Sequence, residues 1–124
     1  MENEEKKKIL VVDDEVNQGL LYEQELTDEG YEVDVANTGQ QALDMVKKKA
    51  YDLVVLDIGM PTMDGLETLG KMLSMDNRLP VILNTAYPSY KDNFMSWAAD
   101  SYVVKSSELT ELKEKIRESL AKRK

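Results

Sequence analysis

The chain has 124 residues, of which 42% are hydrophobic and 32% charged, and its formal net charge is −8. A chain of this size predicts one compact domain over residues 1–124, with no room for a second core. The acidic balance argues against a nucleic-acid surface, the apolar runs are too short to span a membrane, and the charged start MENEEKKK does not predict an export signal.

Five short runs rich in β-branched and apolar residues predict β-strands. In chain order they are KILVV (8–12), YEVDVA (31–36), DLVVL (52–56), PVILN (80–84) and SYVV (101–104). Three of them are almost entirely apolar, which is typical of strands buried on both faces of a parallel sheet.

Helix signals occupy the stretches that follow these runs. Gly30 predicts a left-handed C-cap for a first helix, Thr38 and Gln41 form a capping box for a second, and Asp64 and Glu67 indicate the start of a third. Ser107 is the predicted cap of a fifth. Apolar residues at helical spacing are Ala42, Leu43 and Val46 in the second helix, Leu66, Leu69, Met72 and Leu73 in the third, Tyr90, Phe94, Trp97 and Ala98 in the fourth, and Leu109, Leu112, Ile116 and Leu120 in the fifth.

The alternation amounts to five β-α units. Strands that are joined through helices run parallel with right-handed crossovers, so the sequence predicts an α/β fold with an open, doubly wound sheet and helices on both faces. Such sheets carry their functional residues just beyond the carboxyl ends of the strands.

Charged and polar residues follow four of the predicted strands. Asp13 and Asp14 follow the first, Asp57 the third, Thr85 the fourth and Lys105 the fifth. Because these strand ends share one edge of the sheet, three carboxylates, a hydroxyl and an ammonium are expected to converge there. Clustered carboxylates repel one another, and Mg²⁺ relieves such repulsion. A lysine and a hydroxyl opposite the metal would bind phosphoryl oxygens, so the group predicts a phosphoryl-transfer site.

Each of these residues taken alone has a simpler explanation. Asp13 and Asp14 could stabilise a helix N-terminus through its dipole, and Asp57 could be a turn residue. Thr85 could cap a helix, and Lys105 could be a solvated surface lysine. The placement of each residue at the end of a different strand is what favours a shared site.

The segments ILVVDDE, VVLDIGMPTMDG, ILNTAY and SYVVK resemble, in order and spacing, the motifs of receiver domains from bacterial two-component response regulators. The resemblance extends from about Lys8 to about Leu120. It implies a flavodoxin-like (βα)5 fold with strand order 2-1-3-4-5. It also implies a signalling phosphoacceptor, which assists its own phosphorylation and dephosphorylation, rather than an enzyme.

The resemblance assigns a role to each residue at the strand ends. Asp57 matches the phosphoacceptor, which receives its phosphoryl group from a phosphohistidine. Asp13 and Asp14 match the acid pair that holds Mg²⁺ together with Asp57 and the backbone carbonyl of Gly59. Two further matches, in the turn after the acceptor, are Met60-Pro61 and Asp64-Gly65.

The remaining matches concern signal output. Lys105 matches the lysine that pairs with phosphoryl oxygens, Thr85 the hydroxyl that moves toward the new phosphate, and Tyr102 the aromatic residue that turns inward behind it. The implied result is a shifted face of helix four, strand five and helix five that a downstream effector recognises. The implied phosphoryl donor is a sensor histidine kinase or a phosphotransfer protein. No direct contact with nucleic acid or membrane is implied, and a chain without cysteine suits the cytoplasm.

Two departures from the family pattern stand out. The family usually has proline after the conserved lysine, with a cis bond between them, whereas Ser106 follows Lys105 here; a trans bond or a strained loop is therefore expected. Gly59 and Tyr87 lie two places after the acceptor and the switch hydroxyl. Since these positions tune phosphate hydrolysis in the family, we expect altered access for water.

Three other protein classes share parts of this pattern. A haloacid-dehalogenase phosphatase would need an aspartate where Gly59 stands, and a flavodoxin-like cofactor binder would need a Gly/Ser/Thr-rich loop where DDEVNQG stands. A receiver-like module that docks a partner without being phosphorylated stays open as an alternative. The kinase, the output, and whether the receiver acts alone in chemotaxis or a phosphorelay or within a longer regulator are not determined by the residues.

Overall fold

A computed structural model of the chain describes residues 6–57, 59, 65–86, 99–106 and 108–122. The strands in this part of the chain are β1 (Lys8–Val12), β2 (Glu32–Ala36), β3 (Leu53–Leu56), β4 (Val81–Thr85) and β5 (Ser101–Val104). The helices are α1 (Val16–Asp28), α2 (Gly39–Lys48), α3 (Gly65–Met75) and α4 (Thr110–Lys122). The predicted fourth helix lies outside the described residues, so α4 is the fifth helix of the sequence prediction. Met60, Pro61, Asp64, Tyr87 and Ser107 also lie outside them.

The five strands form one parallel sheet in the order β2-β1-β3-β4-β5. This confirms the predicted fold class and strand order. The interior strands β3 and β4 are fully buried, and β1 is buried except at its first residue, whereas the edge strands β2 and β5 are partly exposed. Small differences from the prediction concern boundaries. β3 begins at Leu53, β4 begins after Pro80, and α4 begins after Leu109, although Leu109 still packs against the core.

The core has two halves, one on each side of the sheet. On one side Ile9 and Val11 of β1 pack with side chains of α1 and α4, namely Tyr22, Leu26, Leu112 and Ile116. On the other side Leu10 and Val12 pack with side chains of α2 and α3, namely Ala42, Leu43, Leu69 and Met72. Because side chains alternate along a strand, the strand also determines on which face of the sheet the side chain of the next residue lies. None of the described helices is both long and apolar enough to cross a membrane.

Helix α1 ends as the sequence predicts. Gly30 has φ of +100°, its N–H donates to the Thr27 carbonyl at 3.0 Å, and the N–H of Tyr31 donates to the Leu26 carbonyl at 3.2 Å. These two bonds form a Schellman motif, in which glycine occupies the left-handed position at little cost. The motif directs the chain from α1 straight into β2.

The start of α2 differs in one detail from the predicted capping box. The Oγ1 atom of Thr38 accepts the N–H of Gln41 at 3.0 Å, as predicted. The Oε1 atom of Gln41, however, accepts the N–H of Asn37 at 2.8 Å instead of reaching back to Thr38. The reciprocal bond is therefore displaced by one residue, onto the loop between β2 and α2.

A polar cluster at the β2 edge yields a stability prediction. The Asp34 carboxylate accepts the Tyr51 hydroxyl at 2.7 Å and the Lys49 ammonium at 2.9 Å. The hydrogen bond from Tyr51, followed by that from Lys49, holds the pKa of Asp34 below its ordinary value despite partial burial. Tyr51→Phe keeps the ring but removes the hydroxyl, and it is expected to lower the free energy of unfolding at pH 7 by about 1 kcal/mol.

The pH dependence of that loss follows from the depressed pKa. A carboxyl whose pKa is lower in the folded state stabilises the protein above its unfolded value, and this stabilisation disappears as the pH falls through the folded value. The difference in free energy of unfolding between the wild type and Tyr51→Phe, measured with urea, should therefore shrink as the pH falls below 3.8, the ordinary pKa of an aspartate. Tyr31→Phe serves as the control, because burial is the main cause of the raised Tyr31 pKa and no hydrogen bond contributes to it. A difference that does not vary with pH would contradict the prediction.

Candidate functional site

Backbone hydrogen bonds extend the sheet one residue beyond three of its strands and bring the predicted site residues to one edge. The donors are the N–H groups of Asp13, Asp57 and Lys105, and the acceptors are the carbonyls of Ala36 at 3.0 Å, Val12 at 3.0 Å and Thr85 at 2.7 Å. By the alternation of side chains, Asp13, Asp57 and Lys105 all continue the side of the sheet that α1 and α4 cover.

Lys105 forms ion pairs with both carboxylates. Its Nζ atom lies 2.7 Å from Oδ2 of Asp13 and 3.2 Å from Oδ2 of Asp57. The side chains are 15% exposed for Lys105, 2% for Asp13 and 9% for Asp57. Buried charges need partners because desolvation is costly, and one ammonium here offsets two carboxylates. The predicted convergence of these three residues is confirmed in the structure.

The second oxygen of each carboxylate is held by a nearby backbone N–H. Oδ1 of Asp13 accepts the N–H of Glu15 at 2.9 Å, and Oδ1 of Asp57 accepts the N–H of Gly59 at 3.0 Å. Both bonds span two residues, the spacing of an Asx turn. Each carboxylate is thus fixed locally through one oxygen and faces the lysine with the other.

Burial and charge act in opposite directions in this group. Burial raises the pKa of Asp13, although the hydrogen bonds from Lys105 and from the Glu15 N–H oppose the rise. Burial by itself would lower the pKa of Lys105, but its hydrogen bonds and charge interactions with Asp13 and Asp57 outweigh burial and raise that pKa. Lys105 therefore stays protonated at neutral pH. Its single positive charge balances only part of the negative charge of the two carboxylates.

A third carboxylate, that of Asp14, completes the acidic group. Asp14 is exposed, and one carboxylate oxygen each from Asp13, Asp14 and Asp57 lies within 4.8 Å of the others. Hard divalent cations prefer carboxylate oxygens and often retain bound water. Two carboxylates with some burial and a third open to solvent fit that preference, so the residues present suit Mg²⁺.

The predicted switch residues continue the other side of the sheet. Thr85 ends β4, is fully buried, and follows Val81 and Leu83, which pack against α2 and α3. Tyr102 of β5 packs against the same half of the core and pairs in register with Leu83. Thr85 and Tyr102 therefore lie on one side of neighbouring strands, two register positions apart.

The Lys105–Ser106 bond, which departs from the family pattern, is trans. Lys105 nevertheless reaches both acids, since its N–H is bonded to Thr85 and extends β5. The Ser106 hydroxyl donates to the carbonyl of Glu108 at 2.8 Å and accepts its N–H at 3.0 Å. The connection to α4 thus begins with a trans bond, and the Ser106 side chain is bonded to the main chain of Glu108.

A cavity of about 620 Å³ opens above the acids, and α1 supplies part of its wall. Asp57 and Lys105 line it, together with residues that the sequence analysis did not single out, namely Gln18, Leu21, Tyr22 and Ala86. Tyr22 is only 2% exposed, burial raises the pKa of its hydroxyl, and that hydroxyl is hydrogen-bonded to the side chain of Asn84, which is 3% exposed. The one signal in the sequence for this buried pair was Asn84 itself, an amide in the otherwise apolar strand run VILN.

The family model of the response regulator receiver domain matches residues 9–117. Transcriptional regulatory protein ZraR of Klebsiella oxytoca is 39% identical over 116 residues, which are 91% of this chain and 26% of that protein. Response regulator ArlR of Staphylococcus epidermidis is 38% identical over 111 residues, 88% of this chain and 50% of that protein. The chain thus spans between about a quarter and a half of these curated relatives.

Among solved structures, the response regulator TrrA of Thermotoga maritima, in complex with Mg²⁺-BeF, is 49% identical with a TM-score of 0.89, and the match covers 91% of this chain and 98% of that one. TrrA in complex with the histidine kinase ThkA matches with 49% identity and a TM-score of 0.87, over 92% of this chain and 98% of that one. Both the sequence and the fold therefore match one family across nearly the whole chain.

Proposed function

Since the chain belongs to the response regulator receiver domain family, we propose that Asp57 accepts a phosphoryl group from the phosphohistidine of a sensor histidine kinase or a phosphotransfer protein. A receiver domain is a signalling domain and not a classical enzyme. The observation that carries the proposal is the setting of the Asp57 carboxylate: it follows β3, is held by the Gly59 N–H and the Lys105 ammonium, and lines an open cavity. The complex of TrrA with the kinase ThkA supports the choice of donor.

The proposal includes a Mg²⁺ site. Asp13, Asp14 and Asp57 would hold the ion through their carboxylates, and Gly59 through its backbone carbonyl. The three neighbouring carboxylate oxygens and the Mg²⁺-BeF complex of TrrA support this assignment. When bound, Mg²⁺ neutralises charge on the carboxylates and on the oxygens of the transferred group.

In the proposed transfer, an oxygen of the Asp57 carboxylate attacks phosphorus while the bond from phosphorus to the imidazole nitrogen breaks, and that nitrogen keeps the electron pair. Lys105, which already contacts Asp57, then pairs with a phosphoryl oxygen. Dephosphorylation is a separate reaction, hydrolysis, in which water attacks phosphorus, the bond from phosphorus to the Asp57 oxygen breaks, and the free carboxylate and inorganic phosphate are released. The domain assists both reactions because Lys105 and the acids are positioned before the donor arrives.

The proposed output runs through Thr85 and Tyr102. New phosphoryl oxygens attract the Thr85 hydroxyl, and Tyr102 fills the vacated space on the same side of the sheet. A downstream effector protein or domain would recognise the altered face next to β5. The names of ZraR and ArlR support a regulatory output, either within a longer chain or through a separate partner. Residues 1–124 would then form one receiver unit in the cytoplasm, without direct contact to nucleic acid or membrane.

The decisive experiment is intact mass after incubation with acetyl phosphate, with and without Mg²⁺. The wild type should gain one phosphoryl group in a Mg²⁺-dependent manner, and Asp57→Asn should gain none. Asp52→Asn, at the opposite end of β3, is the matched control and should behave like the wild type. If no condition gives a mass gain, the proposal is contradicted and a docking module that works without phosphorylation becomes the better account.

A further inference from the structure

The backbone of Asp13 is clamped by the loop between β2 and α2. We propose that Asn37, in this loop, is a positioning residue for the cation site, because it fixes the direction in which the Asp13 carboxylate leaves the main chain. The inference rests on the proposed function, since it takes Asp13 to be a Mg²⁺ ligand. Asn37 itself touches neither the ion nor the transferred group in this scheme; it acts through Asp13.

A series of hydrogen bonds carries the inference. Nδ2 of Asn37 donates to the Asp13 carbonyl at 3.0 Å, and the N–H of Asp13 donates to the Ala36 carbonyl at 3.0 Å. The N–H of Asn37 donates to Oε1 of Gln41 at 2.8 Å, and the N–H of Gln41 donates to Oγ1 of Thr38 at 3.0 Å. Both polar groups of the Asp13 main chain are thus tied to two successive residues, and Asn37 is in turn tied to the first turn of α2.

Close packing against α1 supports the same conclusion. A Cβ atom at Gly19 would lie 2.9 Å from Cγ1 of Val35 and 3.9 Å from Nδ2 of Asn37. The first distance is shorter than real Cβ contacts, so glycine is what lets α1 approach β2 this closely. Asn37 therefore lies between α1 and the end of β1, where its amide reaches the Asp13 carbonyl.

The consequence for a cation follows from the remaining freedom of Asp13. Its Oδ1 atom is held by the Glu15 N–H, and its main chain is held from both sides, so Oδ2 has little freedom of direction. Mg²⁺ demands near-octahedral geometry with short bonds, and displacement of a ligand by a fraction of an ångström weakens binding. Partners that orient metal ligands typically change affinity by about 10–100-fold when removed. Since Asn37 acts on the main chain, the lower end of that range applies.

The test is calorimetric titration of the metal-free protein with Mg²⁺, comparing Asn37→Ala with Thr38→Ala. Thr38→Ala removes the side-chain cap of α2, whereas Asn37→Ala keeps the backbone N–H that Gln41 accepts and removes the bond to Asp13. We expect Asn37→Ala to raise the Mg²⁺ dissociation constant about tenfold. Thr38→Ala should keep the Mg²⁺ dissociation constant within about twofold of the wild-type value, although the midpoint of urea unfolding of this variant falls. A purely structural role for Asn37 would move the midpoint and not the dissociation constant.

Equal Mg²⁺ affinity in Asn37→Ala and the wild type would overturn the inference, and so would an equal loss in both variants. If Asn37→Ala does not fold, Asn37→Ser is measured instead, with the same expectation. Failure of the proposed function gives a different result, because the wild type itself would then bind no Mg²⁺ or gain no phosphoryl group from acetyl phosphate. The two outcomes are therefore distinguishable within one set of proteins.

Discussion

Lys105→Met is expected to slow phosphoryl acceptance from acetyl phosphate by about 100-fold or more, and at the same time to tighten Mg²⁺ binding. The loss of rate follows because the ammonium would no longer neutralise charge on the transferred group, and removal of one such donor typically costs about 10²–10³-fold. Methionine keeps the length of the side chain, so the shape of the cavity should change little. The rate is measured as the time course of the mass gain.

The expected gain in Mg²⁺ affinity has a separate cause. In the metal-free protein Lys105 lies 2.7 Å from Asp13 and 3.2 Å from Asp57, and therefore occupies oxygens that a second cation would use. Without the ammonium, the two carboxylates repel each other and take up another cation more readily. We expect a dissociation constant several times lower than that of the wild type, measured by calorimetry.

Loss of the ion pairs should also lower the stability of Lys105→Met in Mg²⁺-free buffer at pH 7. Breaking a fully buried pair costs about 3–5 kcal/mol; because Lys105 lines an open cavity, about 2 kcal/mol is expected, and Mg²⁺ should restore much of it. Lys113→Met is the matched control, since Lys113 also lies near two carboxylates, 2.9 Å from Glu25 and 3.5 Å from Glu29. Unchanged or weaker Mg²⁺ binding in Lys105→Met would contradict the competition described above.

Asp13→Asn is expected to weaken Mg²⁺ binding by at least about 100-fold and to reduce Mg²⁺-dependent phosphorylation to the metal-free level. The substitution keeps the shape of the side chain but removes one of three carboxylates, and loss of a direct ligand exceeds the effect of losing an orienting partner. Asp57 remains available, so a slow mass gain should persist. This residual gain distinguishes Asp13→Asn from Asp57→Asn.

The same variant is expected to be more stable than the wild type at pH 7 in Mg²⁺-free buffer. Burial raises the pKa of Asp13 above its ordinary value even with Lys105 nearby. A carboxyl with a raised folded-state pKa stabilises the fold below the unfolded value, and this contribution is lost as the pH rises through the folded value. Ionised Asp13 is then a cost that neutral asparagine avoids, so the urea midpoint should rise.

Asp76→Asn is the control for Asp13→Asn, because the Asp76 carboxylate also accepts an N–H two residues ahead, that of Arg78 at 3.0 Å. It should change neither Mg²⁺ affinity nor phosphorylation. Full Mg²⁺ affinity in Asp13→Asn would remove Asp13 from the proposed ligand set.

The sheet and the convergence at its edge were predictable because both follow from local patterns. Apolar runs such as ILVV and LVVL identify interior strands, and parallel strands joined through helices must end at the same edge, which brings Asp13, Asp57 and Lys105 together. For Lys105–Ser106, the absence of proline predicted either a trans bond or a strained loop, and the bond is trans. Lys105 is held in place by the hydrogen bond from its N–H to the Thr85 carbonyl, which only the tertiary arrangement reveals.

The residues that sequence reasoning missed depend on how elements approach each other. Tyr22 repeats with Gly19 and Leu26 at helical spacing, so its pattern indicates a core residue, and nothing local shows that its hydroxyl meets Asn84 beside the cavity. Asn37 lies in a polar loop where many residues would be tolerated. Its contact with Asp13 exists because the chain after β2 lies beside the end of β1, where the Asp13 N–H is bonded to the Ala36 carbonyl.

The division of the sheet into two sides has a consequence for how a signal crosses the domain. Asp57 and its cavity belong to the side of α1 and α4, whereas Thr85 and Tyr102 belong to the side of α2 and α3. In the proposed mechanism the phosphoryl group therefore arrives on one side of the sheet, and the residues that respond to it lie on the other. The 2.7 Å backbone hydrogen bond from the Lys105 N–H to the Thr85 carbonyl joins the two sides at the sheet edge, so the main chain, and not only the side chains, links loading to readout.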